Sequence, residues 1–427
     1  MYLHASTPSG SIPVKGRAAQ RHLSHSRARS RAPRPPAHRR LHVDVEIGRG
    51  KKARQAYGFD DVAIVPGRRT RDPEDVDLSW RLGSHELELP LLASAMDGVV
   101  SPRTAIALGK LGGLGVLNLE GLFSRYEDAE ERCAEIASLP KDQATHRMQE
   151  LYEAPIVPEL MVQRVREMKD AGIVTAASLT PQRVEQYADA VLEAGLDVLV
   201  IQGTVVSAEH VSSHGTTLDL KSFIPTLDVP VIVGGCASYQ SALHLMRTGA
   251  AAVLVGVGPG AACTTRGVLG VGVPQATAIS DVAGARAQHL LETGERVAVI
   301  ADGGMRTGGD ISKAIACGAD AVMIGSPLAR AHEAPGKGYH WGMATFHPSL
   351  PRGARVQVEQ VASLHEIVLG PAHENDGTLN LMGALRTSMS TCGYQTIQEF
   401  QKAEIVLAPA IQTEGKHHQR AQRVGMG

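Results

Sequence analysis

The sequence predicts a parallel (β/α)8 barrel in one domain. Three observations carry this: eight short apolar runs spaced along one chain, amphipathic stretches between them, and glycine-rich polar residues just after the runs. A chain of 427 residues with 43% hydrophobic residues can bury a large core. Aromatic residues are only 4%, while glycines number 45, which suits an α/β protein with tight turns better than a sandwich.

The runs are LLASAM (91–96), GLGVLN (113–118), GIVTAASL (172–179) and DVLVIQ (197–202), then VPVIVGG (229–235), AAVLVGVG (251–258), VAVIADGG (297–304) and AVMIGS (321–326). Each is short and continuous, as strands buried on both faces are. A doubly wound sheet is the alternative to closure. Residues 180–195 and 238–250 read as helices; Thr180 with Pro181 marks a start and Gly195 a stop. The connection 119–171 is the longest, but too short for an inserted domain of ordinary size. The polar residues after the runs are Asp97, Gly98, Gly258, Asp302, Gly303, Gly304, Gly325 and Ser326. In a barrel they share the C-terminal rim, where active sites lie.

Charge and cysteines narrow the function. The net charge is −1, so no overall field draws the chain to nucleic acid or membrane. No apolar run reaches the roughly 18 residues that span a bilayer. Residues 1–43 hold nine of the Lys and Arg and no acid. With little to bury, they read as a disordered basic leader, and 411–427 as a disordered tail, around a barrel domain at 44–410. The five cysteines have no CxxC spacing, which argues against a zinc site or a disulfide framework and fits reduced thiols in the cytoplasm. Cys133, Cys236, Cys317 and Cys392 read as buried structural thiols. Cys263 differs. It lies in GPGAACTTRG (258–267), beyond a strand, among small flexible residues and beside Arg266. A cation and backbone donors there favour a nucleophilic thiolate. ADGGMRTGGD (301–310) and IGSP (324–327) read as an anion-binding block, with Asp302 placed for sugar hydroxyls.

Taken together, YGFDDVAIVPG, PLLASAMDGV, GGLGVLN, GVGPGAACTTR with GVGVPQATAI, and IADGGMRTGGDISKAIACGADAVMIGS resemble the IMP dehydrogenase/GMP reductase family over about residues 56–401. The chain looks like the short bacterial members without the CBS insert. The resemblance implies that Cys263 attacks C2 of a purine nucleotide, with Thr265 beside it. A nicotinamide exchanges hydride with that carbon. Ser94 and Met96 would lie beneath the nucleotide, Asp302 would hold its ribose, and Gly303, Gly304, Gly325 and Ser326 its phosphate. Gly342, Met343 and Ala344 would line the purine. NAD would meet Gln202, Gly256, Val257 and Gly258, and carbonyls of Gly258, Gly260 and Cys263 would hold potassium. A mobile loop and flap, and a homotetramer, are implied in the same way.

Several positions depart from the family pattern. Ala261 stands where a phosphate-binding serine is usual, Gln202 where an aspartate meets the nicotinamide ribose, and Arg352 where a glutamate reads the purine edge. The Arg-Tyr pair of the flap is missing; His347, Arg352 and Arg355 are the candidates to replace it, with surface roles the favoured reading of each. NAD-dependent oxidation of IMP to XMP is the expected activity. An NADPH-dependent GMP reductase is the alternative, favoured by CTTR with GVGVPQ but not by Phe346, which replaces that enzyme's glutamate. A purine-nucleotide-binding barrel without catalysis is the third reading, and an intact Cys263 with Thr265 argues against it.

Overall fold

A computed structural model describes residues 44–209, 218–342 and 355–408. Met343, Ala344, Phe346, His347 and Arg352, and the proposed leader and tail, lie outside the described residues. The chain divides into two units at Gln55 and Ala56. Of the first, the described part is an antiparallel hairpin, Asp44–Gly48 with Lys51–Arg54.

The second unit carries the barrel. Its strands are β1 (Leu91–Ala93), β2 (Leu114–Asn118), β3 (Ala176–Leu179) and β4 (Val198–Gln202), then β5 (Val231–Cys236), β6 (Ala252–Val255), β7 (Ala298–Asp302) and β8 (Ala321–Ile324). Each pairs in parallel with the next, and β8 pairs with β1, closing the barrel in sequence order. The eight predicted runs are these eight strands, trimmed at their ends. Gly303 and Gly304 turn the chain off β7 at φ +77° and +83°, a region open to glycine.

Alternate strand residues serve two cores. Leu92, Val116, Val200, Ile232, Leu254, Ile300 and Met323 fill the lumen with Trp80 and Leu82. Leu91, Leu117, Leu199, Val233, Val253, Val299 and Val322 face the surrounding helices. The Trp80 indole donates to the Leu89 carbonyl at 2.9 Å, tying the hairpin Trp80–Leu82/His85–Leu87 to the start of β1.

Two helix readings are corrected or completed. The stretch 180–195 becomes helical only at Val184, because Arg183 and Val184 first form a turn on the Thr180 carbonyl, while the Thr180 amide is bound by Glu120 at 2.6 Å. Its stop is Gly195, at φ +100°. The connection between β2 and β3 holds three helices, Ala129–Ser138, Lys141–Glu153 and Pro158–Asp170. Among the described residues no helix is long and apolar enough to cross a membrane.

Asp320 ties the last third of the barrel together. It is 5% exposed and lies just before β8. Its carboxylate accepts from Arg286 at 2.7 Å, Arg296 at 2.6 Å, the Val299 amide at 2.8 Å and Gln401 at 2.9 Å. Losing it strands the buried Arg286 cation. Asp320→Ala is expected to cost about 3–5 kcal/mol, read as a lower urea midpoint.

Candidate active site at the barrel mouth

The loop after β6 carries the exposed thiol. Gly258 sits at φ +77°, and a Cβ there would lie 2.5 Å from Cγ of Arg266. A Cβ at Gly272 would lie 2.6 Å from the same atom. The arginine stem therefore threads between two glycines. Its guanidinium donates to the Val257 carbonyl at 3.1 Å and the Val273 carbonyl at 2.5 Å, clasping the loop's two ends. Partial burial lowers the pKa of the Arg266 guanidinium, and the neighbouring Cys263 opposes that. Within this clasp the Cys263 thiol donates to the Thr265 hydroxyl at 3.2 Å, and the Cys263 amide donates to the Gly260 carbonyl at 3.0 Å. Thr265 is buried and opens the short helix Thr265–Leu269.

A second buried clasp joins this loop to the end of β7. Gln275, 4% exposed at the start of helix Gln275–Thr293, donates to the carbonyls of Val255 at 3.0 Å, Asp302 at 3.0 Å and Gly303 at 3.2 Å. A Cβ on Gly256 would collide with the Asp302 carbonyl, and one on Gly303 would sit 3.2 Å from the Gly260 amide. Small residues are required where the two loops touch. The Asp302 carboxyl is half-buried, accepts from the Gln202 amide at 3.2 Å, and is pushed up to about 7 by burial, which that bond opposes.

The rest of the rim is continuous with these loops. Ser94 and Met96 meet Gly325: a Cβ there would collide with the Met96 methyl and lie 3.6 Å from the Ser94 hydroxyl. Ser326 and His340 Nε2 are 3.0 Å apart. His340 is 1% exposed, its Nδ1 has no partner among the described residues, and burial lowers its pKa to about 4, so the ring is neutral at pH 7. Gly342 lies beside Ala262 of the cysteine loop. The Trp341 indole donates to the Tyr152 hydroxyl at 2.9 Å, and Tyr152 donates in turn to the Asp97 carboxylate. Asp97 also accepts the Leu122 amide at 3.0 Å, and burial raises its pKa to about 6.

The predicted residues Ser94, Met96, Gln202, Gly256, Gly258, Gly260, Cys263, Thr265, Asp302, Gly303, Gly304, Gly325, Ser326 and Gly342 thus share one mouth. Val257 is placed differently from a contact residue: its side chain is in the core and its carbonyl is taken by Arg266. Arg355 is also committed elsewhere. Its guanidinium donates to the carbonyls of Ile136, Ala137 and Leu139 and stacks 4.1 Å from the Tyr339 ring centre. As a replacement for the flap base it is unsuited. Reading the residues missed Gln275 and Tyr152; His340 and Trp341 belong to YHWGMA (339–344), which resembles a purine-lining segment, but carry no part of their own in that resemblance. Gln275 had a signal, as the first helical residue after Pro274; Tyr152 had none, because its partners are distant in sequence.

Of the other cysteines, Cys133, Cys236 and Cys317 are buried as expected, while Cys392 is corrected: it is only partly buried, its thiol against the Val65 carbonyl at 3.6 Å. Cys133 and Cys236 are fully buried, and burial raises the thiols of Cys133, Cys236, Cys317 and Cys392, to about 12 for Cys236 and about 11 for Cys317. Brief iodoacetamide treatment of the native protein is therefore expected to alkylate Cys263 first, as read by peptide mass spectrometry.

The family model described as IMP dehydrogenase / GMP reductase domain matches residues 56–418. An uncharacterized oxidoreductase of Mycolicibacterium smegmatis is 48% identical over 372 residues, covering 85% of this chain and 99% of its own. The inosine-5'-monophosphate dehydrogenase of Methanocaldococcus jannaschii is 28% identical, over 86% of this chain and 96% of its own. The solved structure of an IMP dehydrogenase/GMP reductase-like protein from Corynebacterium glutamicum is 45% identical, with a TM-score of 0.81 over 85% of this chain and 97% of that one. The chain belongs to the IMP dehydrogenase/GMP reductase family of oxidoreductases.

Proposed function

We propose that this chain oxidises IMP to XMP, with NAD as the hydride acceptor, through a covalent intermediate on Cys263. The observation that carries the reading is the exposed Cys263 thiol, 3.2 Å from the Thr265 hydroxyl on a loop clasped beside Asp302. The Cys263 sulfur forms a bond to C2 of the purine as its proton passes to a base. The hydride on C2 leaves to the nicotinamide ring, the chemistry that NAD supplies when bound. Water then adds at C2, the carbon–sulfur bond breaks, and the thiol returns with XMP as product. Thr265 is buried against the sulfur and is the group placed to handle a proton there.

Substrate placement follows from the same rim. Asp302 would accept from ribose hydroxyls. A neutral His340 donating to Ser326 Oγ leaves the serine O–H free to donate to a phosphate oxygen. The carbonyls of Gly258, Gly260 and Cys263 are donors of the kind potassium takes, and the Gly260 oxygen keeps one lone pair beyond its bond to the Cys263 amide. The ion would brace the loop, and the assembly would be a homotetramer, as the resemblance implies. The sequence CTTR with GVGVPQ favours a second reading, reduction of GMP to IMP and ammonia with NADPH.

A paired assay separates the two. XMP and NADH should form from IMP and NAD with potassium present; NADPH consumption with GMP, and no XMP, would replace the first reading by the second. Cys263→Ala should abolish turnover by at least about a thousandfold and retain nucleotide binding. Affinity should also depend on pH. The ionised Asp302 carboxylate accepts more bonds than the acid, so bound nucleotide favours the ionised form. Affinity should be full above about pH 7 and fall as pH drops through that value; a flat calorimetric profile between pH 6 and pH 8 would contradict the ribose role.

A further inference from the structure

We propose that Gln202 positions the Asp302 carboxylate for the nucleotide ribose, and so serves the substrate rather than the dinucleotide. The inference rests on reading the mouth as a purine-nucleotide site. Gln202 ends β4 and Asp302 ends β7, with β5 and β6 between them. At this level β5 holds Gly234 and Gly235, and Gly256 follows β6, none of which has a side chain. The amide of Gln202 crosses that gap and donates to Asp302 Oδ2 at 3.2 Å.

The rest of Asp302 is fixed in another way. Gln275 holds its backbone carbonyl at 3.0 Å, so the remaining freedom is in the carboxylate itself. Among the described residues no cation pairs with that carboxylate, and the Gln202 amide is the side-chain group bonded to it. A hydrogen bond from Gln202 to Oδ2 fixes the rotation of the carboxylate and leaves Oδ1 to accept from a ligand. An ionised aspartate at position 202 would face the Asp302 carboxylate with like charge and no donor. The glutamine removes this conflict by supplying a donor.

The test uses the full-length protein and direct binding. Calorimetry with IMP and with its 2′,3′-dideoxy analogue is run on wild type, Gln202→Leu and Gln202→Glu. The first variant deletes the donor at similar size; the second keeps the shape with a carboxylate. Both are expected to bind IMP about tenfold more weakly and the dideoxy analogue as wild type does. Their KM for the dinucleotide should stay within about twofold of wild type. Equal losses for both nucleotides, unchanged IMP binding, or a rise confined to the dinucleotide KM would overturn the proposal. If wild type binds none of IMP, GMP and XMP, the nucleotide reading falls, and this role falls with it.

Discussion

The amide nitrogen of Gln275 reaches three carbonyls, those of Val255, Asp302 and Gly303. The first ends β6, which feeds the cysteine loop. The others end β7, which carries the glycine-rich block 301–310. A buried amide sharing its two protons among three acceptors holds the two segments in one register. The β6–β7 ladder aligns the strands as far as Val255 and Ala301, and this contact carries that alignment into the two loops beyond. The packing of glycine against carbonyl at Gly256, and of Gly303 against Gly260, is possible only because this register is kept. The geometry of the mouth thus depends on a residue that touches no reacting atom.

Around that fixed frame, burial sets the charge of the groups. His340 is kept neutral, while the carboxyls of Asp302 and Asp97 are both pushed up. None of the three has a salt bridge among the described residues. Each is instead held by hydrogen bonds from uncharged groups: Gln202 to Asp302, Tyr152 and Leu122 to Asp97, and Ser326 with His340. A rim of this kind presents acceptors and donors without strong competing cations. Arg266 and Arg355 do lie nearby, but their donors are spent on carbonyls.

Much of this was legible in the sequence, and the reason is physical. Strands buried on both faces must be apolar throughout, so the eight runs stood out, and parallel closure puts all their C-terminal ends on one rim. Cys263 was found because it broke the usual rule for a lone thiol, and the glycine blocks of β7 and β8 because turns and anion sites need bare backbone. What could not be read was side-chain pairing across long separations. Tyr152 and Trp341 meet over 189 positions, and Gln202 and Asp302 over 100. Neither pair leaves a local pattern. The start of the helix at Val184 was missed for a similar reason, since Glu120, from the preceding strand's loop, takes the Thr180 amide.

The segment between Trp341 and Arg355 is tethered on both sides to a single insertion. Trp341 is held by Tyr152 of helix Lys141–Glu153, and Arg355 by the last carbonyls of helix Ala129–Ser138. Two anchors on one support make the span between them a constant of the fold. Chain of different length or composition can be fitted between fixed posts at small cost, since doubling a loop adds only about 0.6 kcal/mol of closure entropy. Residues between the posts can therefore be exchanged while the cysteine loop and the glycine block after β7 stay in place. The insertion between β2 and β3 makes such exchange possible, acting as a socket for an interchangeable part.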